Sequence, residues 1–211
     1  MIKMSEILKL DSLKYADYIP KKHLDKMNGS LGIFNGFDVS QYLSYPPYKN
    51  SSNATYDEIC SLDSIPMDVQ FIKKADDVKK YFKQYFDSVG IQFPDTEVDT
   101  LMEDSQTIIL KLKYHYNRPR PSQVANSYGL NFNEEPLGSA KTPAYPSGHS
   151  TQGILIAKFL AAKYPKHSDN IMKLGNDISK SRLSANIHYP SDSTFGEKLG
   201  LALYSYITDK L

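Results

Sequence analysis

The sequence predicts an all-α protein with a single domain, residues 1–211. From about Ala75 onward, apolar side chains recur at three- and four-residue spacing, which is typical of amphipathic helices. No segment sustains the period-two alternation of a half-buried strand. The chain has 211 residues, 40% of them hydrophobic, and is long enough to bury one core. We therefore expect a compact helical bundle.

The second part of the chain, residues 66–211, contains five segments with the helical pattern. They are expected to span about Ala75–Val89, Asp95–Tyr116, Gly148–Tyr164, Ser168–Ala185 and Thr194 to the C-terminus. Pro119 and Pro121 end the second segment, because proline has no backbone N–H to continue a helix. Thr194 and Glu197 have the spacing of a capping box, which predicts the start of the last helix.

Two regions lack a continuous helical pattern. Residues 1–65 are interrupted by glycine and proline, and we expect them to form an irregular layer over a helical core, with one short helix near Thr55–Leu62. The stretch from Ser122 to Tyr145 is polar and too long for an ordinary connection between helices. It is a candidate lid or binding loop.

The composition excludes several classes of protein. The 25 Lys and Arg residues nearly balance the 24 Asp and Glu residues. The net charge of +1 therefore gives no sign of the excess positive charge that is typical of nucleic-acid-binding proteins. The single cysteine, Cys60, excludes a disulfide framework and a cysteine-rich metal site. The apolar stretch Gly153–Ala162 is too short to span a bilayer. Because the N-terminal residues also lack the apolar stretch of a secretory signal, we expect a cytoplasmic protein.

Arginine is rare in this chain, and its positions are informative. All but three of the basic residues are lysine; the arginines are Arg118, Arg120 and Arg182. A guanidinium group can grip a phosphate or carboxylate with two parallel hydrogen bonds, which lysine cannot do. Arg118 and Arg120 lie next to prolines that restrict the backbone carrying them. This segment is therefore either an anion clamp or a surface feature without function.

Two further segments could contribute to an anion site. Ser147 is a candidate N-cap before an apolar helix, and Gly148 would let an anion approach the free N–H groups of that helix start. His188 is followed four residues later by Asp192, which could fix the tautomer of the imidazole and leave its other nitrogen as base or nucleophile. Alternatively, Ser147 and Asp192 only cap helices, and His188 is a buried hydrogen-bonded residue.

Together these segments resemble the superfamily of type-2 phosphatidic acid phosphatases, bacterial class A non-specific acid phosphatases and vanadium haloperoxidases. The signature of that superfamily has three parts, K-x6-R-P, P-S-G-H and S-R-x5-H-x3-D. The second part is present at residues 146–149, and the third is present at residues 181–192. The resemblance is greatest to the soluble acid phosphatases.

The first part of the signature fits the sequence in two registers. It matches Lys111 with Arg118, or Lys113 with Arg120. Members of the superfamily often read R-x-R-P, with the second arginine in the signature role. We therefore choose Lys113 and Arg120, and Arg118 becomes a supporting residue.

The resemblance implies a helical bundle of the acid phosphatase and vanadium haloperoxidase type and a phosphohistidine mechanism. His188 would attack phosphorus, Asp192 would orient its imidazole, and His149 would protonate the leaving oxygen. Five residues would hold the phosphate oxygens: Lys113, Arg120, Ser147, Gly148 and Arg182. No metal ion or other cofactor is expected, and vanadate is expected to bind as a phosphate mimic.

The activity implied is hydrolysis of phosphomonoesters on small soluble molecules, with broad specificity. A vanadate-dependent haloperoxidase, a phosphatase acting on lipid or polyprenyl phosphates, a phosphotransferase and a phosphate-binding protein without turnover remain alternatives. A homo-oligomer is also possible, since Gly196 and Gly200 would let the last helix approach a neighbour closely, either within the bundle or across a dimer.

Overall fold

A computed structural model describes the chain from residue 4 to residue 210, with side chains from Glu6 onward. These residues are mainly helical and contain no β-strand, which confirms the all-α prediction. The α-helices are α1 Met4–Ser12, α2 Lys21–Met27, α3 Asn53–Leu62, α4 Val69–Ala75, α5 Val78–Ser88, α6 Asp95–Tyr116, α7 Pro121–Ser127, α8 Gly148–Lys163, α9 Ser168–Ser184 and α10 Pro190–Thr208. Short 3-10 helices span Gly32–Phe34, Val39–Ser44 and Pro165–His167. Leu211, the end of the predicted last helix, lies outside the described residues.

Helix α8 lies at the centre of the bundle and packs against both α9 and α10. Glycines make the contact with α10 close. A Cβ atom on Gly196 would lie 2.6 Å from the carbonyl oxygen of Ser147, and one on Gly200 would lie 2.5 Å from that of Thr151. Only glycine allows the two backbones to approach this closely. Of the two contacts expected for Gly196 and Gly200, the structure shows the one within the bundle.

The hydrophobic core lies between α5, α6, α8, α9 and α10. One group of fully buried side chains joins α6 to α8 and α10: Ile108, Ile109, Leu112, Leu155, Leu199 and Leu203. Another joins α5 to α8 and α9: Phe82, Phe86, Ile156, Leu160, Ile171 and Ile178. Burial of each large apolar side chain contributes on the order of 1.5–3 kcal/mol, so this core fixes the relative positions of the helix ends that form the site.

The N-terminal layer is more helical than the glycine and proline pattern predicts. The short helix expected near Thr55–Leu62 is present as α3, and the Ser52 hydroxyl caps it by accepting a hydrogen bond from Thr55 N at 3.2 Å. Helices α1 and α2 were not predicted. Among the described side chains of α1 only Leu10 is buried, and α2 buries none, so neither shows a wide apolar stripe in the sequence.

The helix predicted over Ala75–Val89 is present as α5, which begins three residues later than expected. Helix α4 ends at Ala75, and α5 begins at Val78 because the Asp77 side chain caps it, accepting a hydrogen bond from Lys80 N at 3.0 Å. A capping side chain of this kind marks a helix start, so Val78 begins a new helix instead of continuing α4. Asp76 therefore lies in the joint between α4 and α5, a connection of two residues. Its side chain and its carbonyl can accept hydrogen bonds from other segments there.

Two other boundaries differ from the prediction because proline occupies the first position of a helix, where its missing N–H has no cost. Pro121 begins α7, so the long connection starts at Tyr128 rather than Ser122. Pro190 begins α10 four residues before Thr194. Within residues 4–210, no helix combines the length and the apolarity needed to cross a membrane.

Candidate active site

The three signature segments meet at one end of the bundle, where α6 ends and α8 and α10 begin. Two backbone hydrogen bonds join them directly. Ala144 N donates to the carbonyl of Arg118 at 2.9 Å, and Ser147 N donates to the carbonyl of Asp192 at 3.0 Å. The contact of Gly196 with Ser147 keeps the starts of α8 and α10 together. Packing therefore brings together segments that lie up to 79 residues apart, from Lys113 to Asp192.

His188 and Asp192 form a buried pair at the start of α10. The Nδ1 atom of His188 lies 3.0 Å from Oδ2 of Asp192, and the two side chains are 3% and 0% exposed. Since Oδ2 can only accept, Nδ1 carries the proton, and Nε2 keeps its lone pair. Asp192 also accepts a hydrogen bond from Tyr189 N at 3.1 Å. It therefore fills both roles considered for it, helix cap and partner of the histidine.

Arg118 holds the other oxygen of Asp192. Its Nη1 atom donates to Oδ1 of Asp192 at 2.6 Å, and its guanidinium stacks on the ring of Tyr189, 3.7 Å from the centroid. Burial raises the pKa of Asp192, but the charge of Arg118 and the hydrogen bond from His188 outweigh it and lower the pKa to about 2. Asp192 is therefore a carboxylate throughout the pH range in which a histidine titrates.

Lys113 and Arg120 are buried cations without a carboxylate partner. Lys113 Nζ donates to the carbonyls of Pro143 and Ala144. Arg120 donates to the carbonyl of Thr142 from both Nε and Nη2, at 3.0 and 2.8 Å. Neither forms an ion pair within residues 4–210. Such burial of unpaired charge is costly, and it is typical of a site that binds an anion.

Arg120 also contacts the lone pair of His188. Its Nη1 atom donates to the carbonyl of Ile187 at 2.7 Å and lies 2.9 Å from Nε2 of His188. Burial and then the charge of Arg120 lower the pKa of His188 well below its ordinary value. Burial lowers the pKa of Lys113 well below its ordinary value and that of Arg120 to about 10. His188 is therefore neutral, and its Nε2 faces the cations.

Arg182 is held by Asp76 and has a spare donor. Its Nη1 atom donates to Oδ1 of Asp76 at 2.6 Å, and its Nε donates to the Ser181 hydroxyl at 3.0 Å. Its Nη2 atom is buried and has no hydrogen-bond partner among the described residues. A buried guanidinium N–H without an acceptor is costly, so Nη2 points to a ligand that accepts from it.

His149 pairs with Asp76 through its other ring nitrogen. Its Nε2 atom lies 2.9 Å from the carbonyl oxygen of Asp76 and 3.5 Å from Oδ1 of the same residue. Because a carbonyl can only accept, Nε2 carries a proton in every state, and Nδ1 is the nitrogen that gains and loses one. Burial and the charge of Arg182 lower the pKa of His149, although Asp76 opposes this. The His149 side chain is 18% exposed, so Nδ1 belongs to the more accessible histidine.

Ser147 and Gly148 form the start of α8. The Ser147 hydroxyl caps the helix by accepting from Ser150 N at 3.3 Å. A Cβ atom on Gly148 would lie 3.4 Å from Ile109 Cγ2 and 3.8 Å from Lys113 Cε, which are ordinary contacts. The protein itself therefore does not require glycine at residue 148, whereas close approach of a ligand to its N–H would.

The structure places the lysines and arginines of the two registers differently. Lys113 is buried beside Arg120, whereas Lys111 is only half-buried, and Arg118 supports Asp192 instead of facing the other cations. Every predicted site residue lies in this region. Within residues 4–210, no three His, Cys, Asp or Glu side chains are grouped so as to hold a metal ion.

Two residues that contact the site were not found from the sequence, Asp76 and Glu58. Asp76 was placed in the first turn of the helix predicted over Ala75–Val89; the capping spacing of Asp77 and Lys80 is the signal that could have placed it before the helix start. Glu58 lies in the short helix predicted near Thr55–Leu62 and had no role beyond it, yet it accepts a hydrogen bond from Arg118 Nη2 at 3.1 Å. Both residues come from segments without a signature motif, so only the tertiary structure shows their contacts with the site.

The fold and this site define a helical protein with a buried cluster of basic side chains beside a histidine–aspartate pair. Residues 102–209, about half of the chain, match the PAP2 superfamily, and the chain belongs to that superfamily. The match contains all three signature segments, but it includes neither Glu58 nor Asp76.

Curated relatives are acid phosphatases. The chain is 34% identical over 86 residues to an acid phosphatase of Zymomonas mobilis, covering 41% of this chain and 32% of that protein. It is 30% identical over 88 residues to a non-specific acid phosphatase of Salmonella typhimurium, covering 42% and 35%. It is 29% identical over 115 residues to one of Providencia stuartii, covering 50% and 46%. The chain thus spans less than half of each of these relatives.

A solved structure is also similar. A bacterial vanadium-dependent iodoperoxidase aligns with 98% of this chain and 48% of its own, at 16% sequence identity and a TM-score of 0.45.

Proposed function

We propose that this protein hydrolyses phosphomonoesters through a phosphohistidine at His188. The observation that carries the proposal is the charge around Nε2 of His188. Among the described residues, the side chains of Lys113 and Arg120 are buried with only carbonyls and the imidazole as partners, and Nη2 of Arg182 has none. A phosphoryl group is the ligand that these donors suit best, since it presents several anionic oxygens in one place. The acid phosphatase relatives support the same activity.

In the first step, Nε2 of His188 attacks phosphorus. The N–P bond forms as the P–O bond to the alcohol breaks, and the imidazole gains positive charge. Asp192, a buried carboxylate 3.0 Å from Nδ1, stabilises that charge. His149 donates the proton on Nδ1 to the leaving oxygen, so the alcohol departs neutral.

In the second step, water replaces the alcohol. The Nδ1 atom of His149, now unprotonated, takes a proton from water as its oxygen attacks phosphorus. The N–P bond breaks and returns the electron pair to Nε2 of His188. Phosphate leaves, and both histidines regain their starting protonation states, which completes the cycle without a redox change.

The phosphate oxygens would be held by donors on three segments. Lys113 comes from the last turn of α6 and Arg120 from the connection that leads into α7. Arg182 comes from α9, and the Ser147 hydroxyl and Gly148 N–H come from the start of α8. Binding would offer Arg120 a stronger acceptor than the imidazole and thus release Nε2 for attack. All of these contacts are to the phosphoryl group and none is to the alcohol, so we propose broad specificity for small substrates.

The test is release of p-nitrophenol from p-nitrophenyl phosphate in the presence of excess EDTA, from about pH 4 to about pH 8. We expect turnover that EDTA leaves unchanged and that vanadate, a phosphate mimic, inhibits competitively. His188→Ala should show no turnover above background, because no other described side chain is placed to attack.

His115→Ala is the matched control. His115 is an exposed histidine on α6 that contacts none of the predicted site residues, and its removal should leave kcat and KM unchanged. Absence of turnover in the unmodified protein, or full activity of His188→Ala, would contradict the proposal. Loss of turnover in EDTA would contradict its metal independence.

A further inference from the structure

A buried chain of charged groups extends from the nucleophile pair to the N-terminal layer. Asp192 is bound by Arg118, and Arg118 is bound by Glu58 of α3, with 3.1 Å between Nη2 and Oε2. The side chains of Asp192 and Arg118 are 0% and 1% exposed, and that of Glu58 is 12% exposed. At such depth charges are weakly screened, so each group influences the next.

Glu58 also holds the first turn of α10. Its Oε1 atom accepts from Ser191 N at 2.6 Å, and its Oε2 accepts from the Ser191 hydroxyl at 2.9 Å. That hydroxyl lies 2.9 Å from Nη1 of Arg118 as well. Ser191 N is one of the N–H groups at a helix start that have no partner within the helix. Glu58 thus satisfies it from another segment and fixes the residue next to Asp192.

We propose that Glu58 is a positioning residue for the nucleophile, acting through Arg118 and Ser191 on the geometry and charge of Asp192. This inference deepens the proposed function and rests on it only for its effect on turnover. The guanidinium of Arg118 pairs with the carboxylates of both Asp192 and Glu58, so its positive charge is divided between them and compensates only part of the charge of Asp192. Asp192 therefore keeps more of its charge for the imidazole of His188.

The influence of Glu58 on Asp192 can be measured through the pKa of His188, because that pKa depends on the charged groups around the imidazole. Arg120 approaches from the start of α7 and Lys113 from the last turn of α6, and both disfavour a charged imidazole. Asp192 approaches from α10 and favours it. Removing the charge of Glu58 leaves Arg118 to attract Asp192 more strongly. The attraction between Asp192 and His188 should weaken, and the pKa of His188 should fall.

The experiment compares Glu58→Gln with the unmodified protein. Glutamine keeps the shape and an acceptor for Ser191 N but loses the charge. We expect kcat for p-nitrophenyl phosphate to fall by roughly ten- to a hundredfold. KM should change by less than about threefold, since Glu58 does not contact the basic side chains proposed to bind phosphate. The ¹⁵N chemical shifts of the His188 imidazole should show a pKa lowered by about half a unit or more.

Asp57→Asn is the matched control, because it removes an exposed carboxylate from the same helix. It should change neither kcat nor the His188 titration. If Glu58→Gln leaves both within error of the unmodified protein, Glu58 only caps α10 and the proposal is wrong. If Glu58→Gln does not fold, Ser191→Ala, which removes the hydroxyl between Glu58 and Arg118, should lower kcat by a few-fold; an unchanged kcat would again overturn it.

The titration needs no substrate, so the two proposals can fail separately. An unmodified protein that releases no phosphate would refute the proposed function. The influence of Glu58 on the nucleophile would then be tested only by the shift of the His188 pKa in Glu58→Gln.

Discussion

The site contains two histidine–aspartate pairs, and they are built differently. His188 and Asp192 lie four residues apart at one helix start, and both are buried. His149 and Asp76 come from segments 73 residues apart, and both side chains are partly exposed, at 18% and 26%. His188 binds a carboxylate through Nδ1, whereas His149 binds mainly a backbone carbonyl through Nε2.

The difference matches the two tasks proposed for the histidines. A nucleophile must keep one nitrogen unprotonated and aimed at phosphorus, and a rigid buried carboxylate provides this. A general acid must exchange a proton with the leaving group and with water, so partial exposure is useful. A carbonyl partner fixes the ring of His149 without holding its pKa as high as a close carboxylate would.

The largest expected effect separates the two aspartates. Asp192→Asn should lower kcat by about a thousandfold or more, because it removes the charge that stabilises the phosphorylated imidazole. Asp76→Asn should lower kcat by only about ten- to a hundredfold, since the carbonyl that orients His149 remains. Its KM should rise, because Arg182 loses its ion pair and is less fixed. Steady-state kinetics on both variants measure these effects. An equal loss of kcat in the two variants would contradict the difference expected between the two aspartates.

A smaller effect is expected in the pH dependence of kcat/KM. His188 must be neutral and His149 protonated, so the acid limb reports His188 and the alkaline limb reports His149. Burial lowers the pKa of both histidines, and that of His188 falls further. Both limbs should therefore lie below about pH 6.5, with an acidic optimum between them.

The aspartate variants sharpen this test. Asp76 raises the pKa of His149, so Asp76→Asn should move the alkaline limb to lower pH and leave the acid limb unchanged. Asp192 raises the pKa of His188, so Asp192→Asn should move the acid limb instead. A shift of the same limb in both variants would contradict the assignment of the two roles.

The sequence predicts the first pair well and the second pair not at all. The spacing of His188 and Asp192 is local, and a helix start beginning with proline brings the two side chains together. The partner of His149 depends on how α4, α5 and α8 pack, which no short spacing encodes. The same holds for Glu58, whose contact with Arg118 joins residues 60 positions apart.

The helices were predicted where their apolar faces are wide and missed where they are narrow. Helix α6 has the predicted bounds, because its buried face and the following prolines give clear signals. Helices α1 and α2 lie on the surface and were assigned to an irregular layer. The joint at Asp76 was missed because the apolar spacing of α5 continues into Ala75, and a side-chain cap overrides it.

The central claim is that His188 carries the phosphoryl group, and trapping tests it most directly. In His149→Ala, the departure of p-nitrophenolate needs little protonation, whereas attack of water on the phosphoenzyme loses its base. Rapid mixing with p-nitrophenyl phosphate should therefore release about one equivalent of p-nitrophenolate per protein, followed by slow turnover. Peptide mapping after an alkaline quench should find the phosphate on Nε2 of His188. Phosphate on another residue, or slow release without a burst and without a phosphorylated protein, would contradict the mechanism.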